Sequence, residues 1–340
     1  MAPGGHEKGV NARPVGRLAP SPSGLLHLGH ARTFLLAWWS IRSRGGRVLL
    51  RIEDLDADRA QPQFVDAILR DLEWLGLDWD GPALVQSSNL EAMRAAIDDL
   101  IARGLAYPCV CSRAEIRAMQ SAPQQGQPEA RYPGTCRDRF DSLDQAERRS
   151  GRTAGLRFRV ADGAITIADE IQGPVTVDVQ QEVGDFLIAR RDRAPAYQLA
   201  VVVDDAGQGV TEVLRGCDLL PSAARQAHLL RALGLAQPVW RHAPLVVDAL
   251  GRRLAKRAAD LALAELREAG VDPRQIVHWA ARVSGIAAPA GESAAAIAKA
   301  FDLRQIPLTP VRLPADPRSA LAAPEAAARP RPVPDRGGRD

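Results

Sequence analysis

The chain has 340 residues, with 44 Lys and Arg against 41 Asp and Glu, for a net charge of +3. That near balance neither requires nor excludes a nucleic-acid partner, so any such assignment must rest on motifs. Hydrophobic residues make up 46% of the chain, which excludes a wholly disordered protein and suits two domains, or one large domain with an insertion. No apolar run reaches the length of a membrane span, and the polar, Gly-rich N-terminus carries no signal peptide, so a reducing cytoplasm is the expected compartment.

Residues 1–14 read as a disordered leader. Val15–Ala19 is a short apolar strand, broken by Pro20, Pro22 and Gly24, and Phe34–Ile41 follows as a helix. Strand, tight turn and helix aim a helix N-terminus at an anion. His27 and His30 in the first helical turn would add donors there. The missing side chain of Gly29 would let a flat ring lie on the backbone. This layout predicts a nucleotide site that handles a triphosphate. Arg47–Ile52 is a continuous apolar strand, as a buried parallel sheet requires, and it ends in Glu53 at the crevice end of the sheet. Asp54 and Asp56 read as caps of the next turn. Pro62–Leu77 and Asn89–Gly104 read as helices, with Trp74 and Trp79 as core residues.

The next stretch differs in kind. Cys109-x-Cys111 is followed after 20 residues by Tyr132-x-x-x-Cys136, with a Gln/Pro-rich loop between them. In a reducing compartment three such thiols point to a metal, and they could close on one Zn²⁺ at Zn–S distances of about 2.3 Å. No histidine lies nearby, so an oxygen or nitrogen from elsewhere must complete the shell.

Asp141–Gly151 reads as a short helix, and Leu156–Val160 and Ala164–Ala168 alternate like two antiparallel strands. A turn over residues 191–195 joins Asp185–Arg190 to Ala196–Val203, where the β-branched run suggests a strand but a helix is also compatible. Val210–Leu214 is a strand that delivers Arg215 to a crevice position, unless Arg215 pairs with Asp218 or Glu212. Cys217 reads as a small buried filler. Ser222 is expected to cap a helix running to Gly234, and Val239–Val247 to form one strand. The basic loop Gly251–Arg257 precedes helices at Asp260–Ala269, Pro273–Val283 and Glu292–Phe301, and the Pro- and Ala-rich stretch after residue 306 reads as a disordered tail.

Together RLAPSPSG followed by HLGH over Arg17–His30, RIED over Arg51–Asp54, YQLAVVVDD, GVTEVLRGCD and RLAKR resemble the catalytic core of class I aminoacyl-tRNA synthetases, glutamyl branch. The resemblance implies an α/β Rossmann-type nucleotide-binding parallel sheet with an inserted zinc-containing α/β subdomain and a short helical C-terminal part. It divides the chain into a first catalytic half (15–106), the insertion (107–195), a second half with a KMSKS-like loop (196–258), a helical part (259–305) and a disordered tail (306–340). It implies that His27, Gly29, His30 and Lys256 bind ATP, with His27, His30 and Lys256 catalytic. Arg17, Leu18, Ala19, Pro20, Ser21, Glu53, Tyr197 and Arg215 would bind L-glutamate, Glu53 through its α-ammonium. Two arginines suit a dicarboxylate, because a guanidinium offers a bidentate fork; which arginine takes which end stays open. The basic loop departs from KMSKS at Arg253, Ala255 and Arg257.

The CxC…YxxxC spacing resembles the module of the glutamyl-queuosine tRNA(Asp) synthetases, in which Cys109, Cys111, Tyr132 and Cys136 would hold one structural Zn²⁺. The resemblance covers residues 13 to 285, and no anticodon-binding domain is expected. The implied activity is tRNA-independent, Mg²⁺-assisted activation of glutamate by ATP, then transfer to queuosine in the anticodon of tRNA(Asp), by a monomer with no membrane partner. The alternatives are a truncated glutamyl-tRNA synthetase that charges a tRNA 3′ end, and a non-catalytic zinc-stabilised tRNA-binding paralogue.

Overall fold

The computed structural model describes residues 13–119, 130–254 and 262–322. The leader, the Gln/Pro-rich loop, Ala255, Lys256, Arg257 and the tail after residue 322 lie outside the described residues.

β1 (Val15–Leu18), α1 (Leu28–Arg42) and β2 (Arg47–Ile52) form a parallel crossover in which Val15 stands opposite Arg47 and Leu18 opposite Leu50. α2 (Pro62–Trp74) leads to β3 (Leu84–Val85), which joins β2 in parallel, and α3 (Leu90–Ala102) follows. The next part holds β4 (Ala106–Cys109), α4 (Arg113–Ala118), α5 (Leu143–Ser150), β5 (Gly155–Phe158), β6 (Ile165–Asp169), β7 (Gly173–Val177), α6 (Val179–Glu182) and β8 (Phe186–Ala189). The chain then returns through α7 (Tyr197–Gly207), β9 (Glu212–Gly216), α8 (Leu220–Ala232), β10 (Val239–Ala243) and β11 (Val246–Val247). α9 (Leu263–Glu268), α10 (Pro273–Val283), α11 (Ala294–Ala298), β12 (Val311–Arg312) and α12 (Ser319–Ala322) close the described chain.

β9 and β10 are parallel, β10 pairs in parallel with β6, and Thr211 N donates to Val15 O at 2.9 Å beside β1. The two sheets therefore meet edge to edge, and the C-terminal ends of β1, β2 and β9 open on one side. α1 covers the junction and buries Leu28, Leu35, Leu36 and Trp39 against the core shared with Trp279 and Ile297. Trp74 and Trp79 pack on this core, as expected. A second core lies under α3, α7 and α8, and a third, small one surrounds Tyr107, Tyr132 and Cys136. Among the described residues no helix is long and apolar enough to cross a membrane.

Several local expectations change. β5 and β6 are not partners: β5 sits between β4 and β8 in a separate antiparallel sheet, whereas β6 pairs with β7 and β10. The burial patterns explain this, since β5 is buried at all four positions and β6 alternates between buried and exposed. Residues 107–195 are thus not wholly an insertion, because β6 and β7 belong to the catalytic sheet. Val201–Val203 is helical, as packing against α3 and α8 overrides the β propensity of valine. Ser222 is buried within α8, which starts at Leu220 ahead of Pro221, and does not cap it. Val239–Val247 splits at Pro244, which cannot continue a ladder. The tail is not disordered over 306–322: β12 pairs with β11, and Ala320 O accepts from Arg282 Nη2 at 2.9 Å.

Candidate active site and metal centre

The strand ends enclose a cavity of about 550 Å³. From β1 and its turn come Arg17, Ala19, Pro20 and Ser21, and Glu53, Tyr197 and Arg215 complete that side. His27, Gly29 and His30 line the other, with Arg253 at the rim. Leu18 is the exception among these expected residues. Alternate side chains of a strand face opposite ways, so Arg17 and Ala19 face the cavity while Leu18 is wholly buried in the core. The structure thus brings the predicted phosphate and amino-acid groups together, and Lys256 lies outside the described residues.

The helix start is built by its own histidines. His27 Nδ1 accepts from Gly29 N at 3.1 Å and His30 N at 3.4 Å, while His30 Nδ1 accepts from His27 N at 3.2 Å. This reciprocal cap consumes both Nδ1 lone pairs, so in the neutral rings each Nε2 carries the proton. The rings stack with centroids 3.7 Å apart. A Cβ on Gly29 would lie 2.9 Å from His27 Cε1. The His27 imidazole therefore packs against Gly29, where a larger residue would displace it.

Behind the cavity runs a chain of buried charge that the sequence reading missed. Asp205 lies 3.3 Å from Arg17 Nε and 2.6 Å from Arg51 Nη1, and Arg51 Nη2 lies 3.1 Å from Glu53. Arg51 is fully buried. Burial opposes the charge on Asp205, but Arg51 and Arg17 hold its carboxyl below the usual range. For Glu53 burial wins over both guanidiniums and pushes its carboxyl up. Glu53 is thus a desolvated acid that a bound cation would stabilise in its ionised form. Arg51, a charge inside an apolar strand, was the available signal, because a buried cation demands a partner.

Arg215 pairs with neither of its expected structural partners. Asp218 binds Arg253 at 2.5 Å, and Glu212 pairs with Arg44 and Arg241. Arg215 instead donates from Nε to His242 Nε2 at 2.9 Å and from Nη2 to Leu219 O at 3.3 Å; its Nη1 is buried with no partner among the described residues. Asp54 holds Ser87, through its backbone N at 2.8 Å and its hydroxyl at 2.6 Å, rather than capping its own turn. Cys217 is half-buried.

Cys109, Cys111 and Cys136 place their sulfurs within 4.8 Å of one another, in a group that could hold a metal ion. Four ligands around Zn²⁺ at about 2.3 Å put sulfurs roughly 3.8 Å apart. The Cys111–Cys136 separation of 3.5 Å and the Cys109 Sγ–Tyr132 Oη distance of 3.4 Å fit that size. The hydrogen bond from Cys109, with a further one from the Val110 backbone, draws the Cys136 thiol down to about 6. Arg157 donates to Cys109 Sγ at 3.2 Å and lies over the Tyr132 ring, a cation placed against the cysteine cluster. Gly184 supports the module from behind: its φ is +73°, and a Cβ there would lie 2.2 Å from Tyr132 O. Gly184→Ala should therefore cost at least about 1–2 kcal/mol, from the left-handed backbone alone, and lower Tm by several degrees. Calorimetry with metal analysis checks this, and a loss of bound metal is expected alongside.

Cavity, helix cap and the two arginines thus lie together at the ends of parallel strands. The family described as tRNA synthetases class I (E and Q), catalytic domain, matches residues 15–301. The chain belongs to this class of ligases. It resembles the Glutamyl-Q tRNA(Asp) synthetase of Symbiobacterium thermophilum at 46% identity over 90% of this chain and 98% of that protein. That of Nocardia farcinica is 49% identical over 77% of this chain and 82% of its own. A Glutamate--tRNA ligase of a Synechococcus strain is 40% identical, but this chain covers 60% of it. The crystal structure of a glutamate tRNA ligase from Elizabethkingia meningosepticum, in complex with its amino acid, superposes with a TM-score of 0.77 at 25% identity. It aligns with 91% of this chain and 69% of its own.

Proposed function

We propose that the protein activates L-glutamate with ATP in the absence of tRNA and transfers it to queuosine in the anticodon of tRNA(Asp). The observation that carries the first step is that one cavity is lined both by Arg17 and Arg215 and by the capped helix start at His27 and His30. Arg17 and Arg215 bind the two carboxylates, and Glu53 takes the α-ammonium. Tyr197 closes the amino-acid side. Ala19, Pro20 and Ser21 shape its floor, and Leu18 acts only by packing beneath it. His27 and His30 donate to the phosphates through Nε2, Lys256 adds its charge to theirs, and Mg²⁺ bound with the ATP supplies charge neutralisation there. The glutamate α-carboxylate oxygen attacks the α-phosphorus in line. Its bond to phosphorus forms as the bond to the bridging oxygen breaks, giving glutamyl-adenylate and pyrophosphate. The protein's part is positioning and charge stabilisation. Zn²⁺ on Cys109, Cys111, Cys136 and Tyr132 ties two loops together and lies outside the chemistry.

The transfer to queuosine is supported by the two Glutamyl-Q tRNA(Asp) synthetases that match over most of their own length. The Synechococcus relative favours a second reading, in which the acceptor is a tRNA 3′ end. Glutamate-dependent ATP–pyrophosphate exchange without tRNA is expected, and equal exchange with glutamine would refute the dicarboxylate assignment. Labelled glutamate should load tRNA(Asp) trimmed of its 3′-terminal adenosine, but not a queuosine-free transcript. The reverse pattern would establish the 3′-end reading.

A further inference from the structure

Arg215 reaches the cavity with its Nε hydrogen already committed. His242, which accepts it at Nε2, stands opposite Arg215 in the parallel β9–β10 register. On the far side, His242 Nδ1 lies 2.6 Å from Asp169 Oδ2, and both side chains are wholly buried. Asp169 ends β6, opposite Trp240 of β10, so three adjacent strands bring the three side chains into line.

The polarity of this line is forced. Asp169 Oδ1 accepts from Ile171 N at 2.9 Å, Gln172 N at 2.7 Å and His242 N at 3.3 Å. A carboxylate held this way only accepts, so the imidazole proton sits on Nδ1. The Nε2 lone pair then faces the guanidinium, which has only hydrogens to offer. Burial, with Arg215 alongside, disfavours the imidazolium and keeps His242 neutral. Neither Asp169 nor His242 lines the cavity.

We propose that Asp169 and His242 are positioning residues: they fix the imidazole tautomer that orients Arg215, leaving its unpartnered Nη1 for a carboxylate of the amino-acid substrate. This rests on the reading that Arg215 grips that substrate.

Asp169→Asn tests it with little change of shape. The asparagine carbonyl keeps the backbone hydrogen bonds, while its amide donates to His242 Nδ1 and moves the ring proton to Nε2, against the Arg215 hydrogen. In pyrophosphate exchange the KM for glutamate should rise about tenfold or more, as for loss of one charge-assisted hydrogen bond. The KM for ATP should stay within about twofold, since only amino-acid binding is disturbed. His242→Gln can donate to Asp169 and accept from Arg215, and should recover most of the glutamate affinity. His242→Phe fills the space without either bond and should not. A folded Asp169→Asn protein with unchanged glutamate KM overturns the relay. If Arg215→Ala also leaves that KM unchanged, the assignment of Arg215 itself has failed. Should Asp169→Asn not fold, ¹⁵N NMR of the histidines in the unmodified protein decides: a protonated Nδ1 and bare Nε2 on His242 are expected, and a protonated Nε2 overturns the proposal.

Discussion

Arg215→Ala is expected to reduce kcat/KM for glutamate in pyrophosphate exchange by about 10²- to 10³-fold, the usual cost of removing a buried guanidinium from a charged partner. The KM for ATP should barely move. Arg215 is the cleaner of the two arginines to test. Its own partners are a neutral imidazole and a carbonyl, so its removal strands no buried charge. Arg17→Ala would leave Asp205 with Arg51 alone and lower stability as well as activity. Steady-state kinetics together with a melting curve separate the cases. A folded Arg215→Ala enzyme with normal glutamate kinetics would remove Arg215 from the amino-acid site.

Cys136→Ser, or exhaustive chelation of the unmodified protein, should abolish metal binding and lower Tm by roughly 4 °C, for a metal that contributes about 3 kcal/mol. Elemental analysis should find about one Zn²⁺ per chain beforehand, as for a single four-ligand site. Tyr132→Phe should weaken binding less, because the three thiolates remain. Exchange activity assayed well below the lowered Tm should survive, since none of these four residues lines the cavity. Metal-free protein with an unchanged melting curve would mean that the thiols serve only as apolar filling.

The parts of the site legible in the sequence are those written in local chemistry. Arg17, His27 and His30 lie within one strand–turn–helix unit, and the three cysteines declare themselves by spacing. What stayed hidden depends on pairing between distant strands. Asp169 and His242 lie 73 positions apart and meet only because β6 joins β10. Asp205 escaped notice because its segment favours a strand locally but folds as a helix.

The path of the chain between β5 and β8 limits how this enzyme can be taken apart. Residues 159–185 leave the cysteine-bearing sheet, contribute β6 and β7 to the sheet of β9 and β10, and come back. A chimera that exchanged residues 107–195 as a cassette would also exchange Asp169, and with it a strand that the recipient's own β10 must accept. A graft meant to transplant the cysteine cluster alone has to spare β6 and β7, with its seams placed near residues 160 and 178, so that Val183 and Gly184 travel with Tyr132.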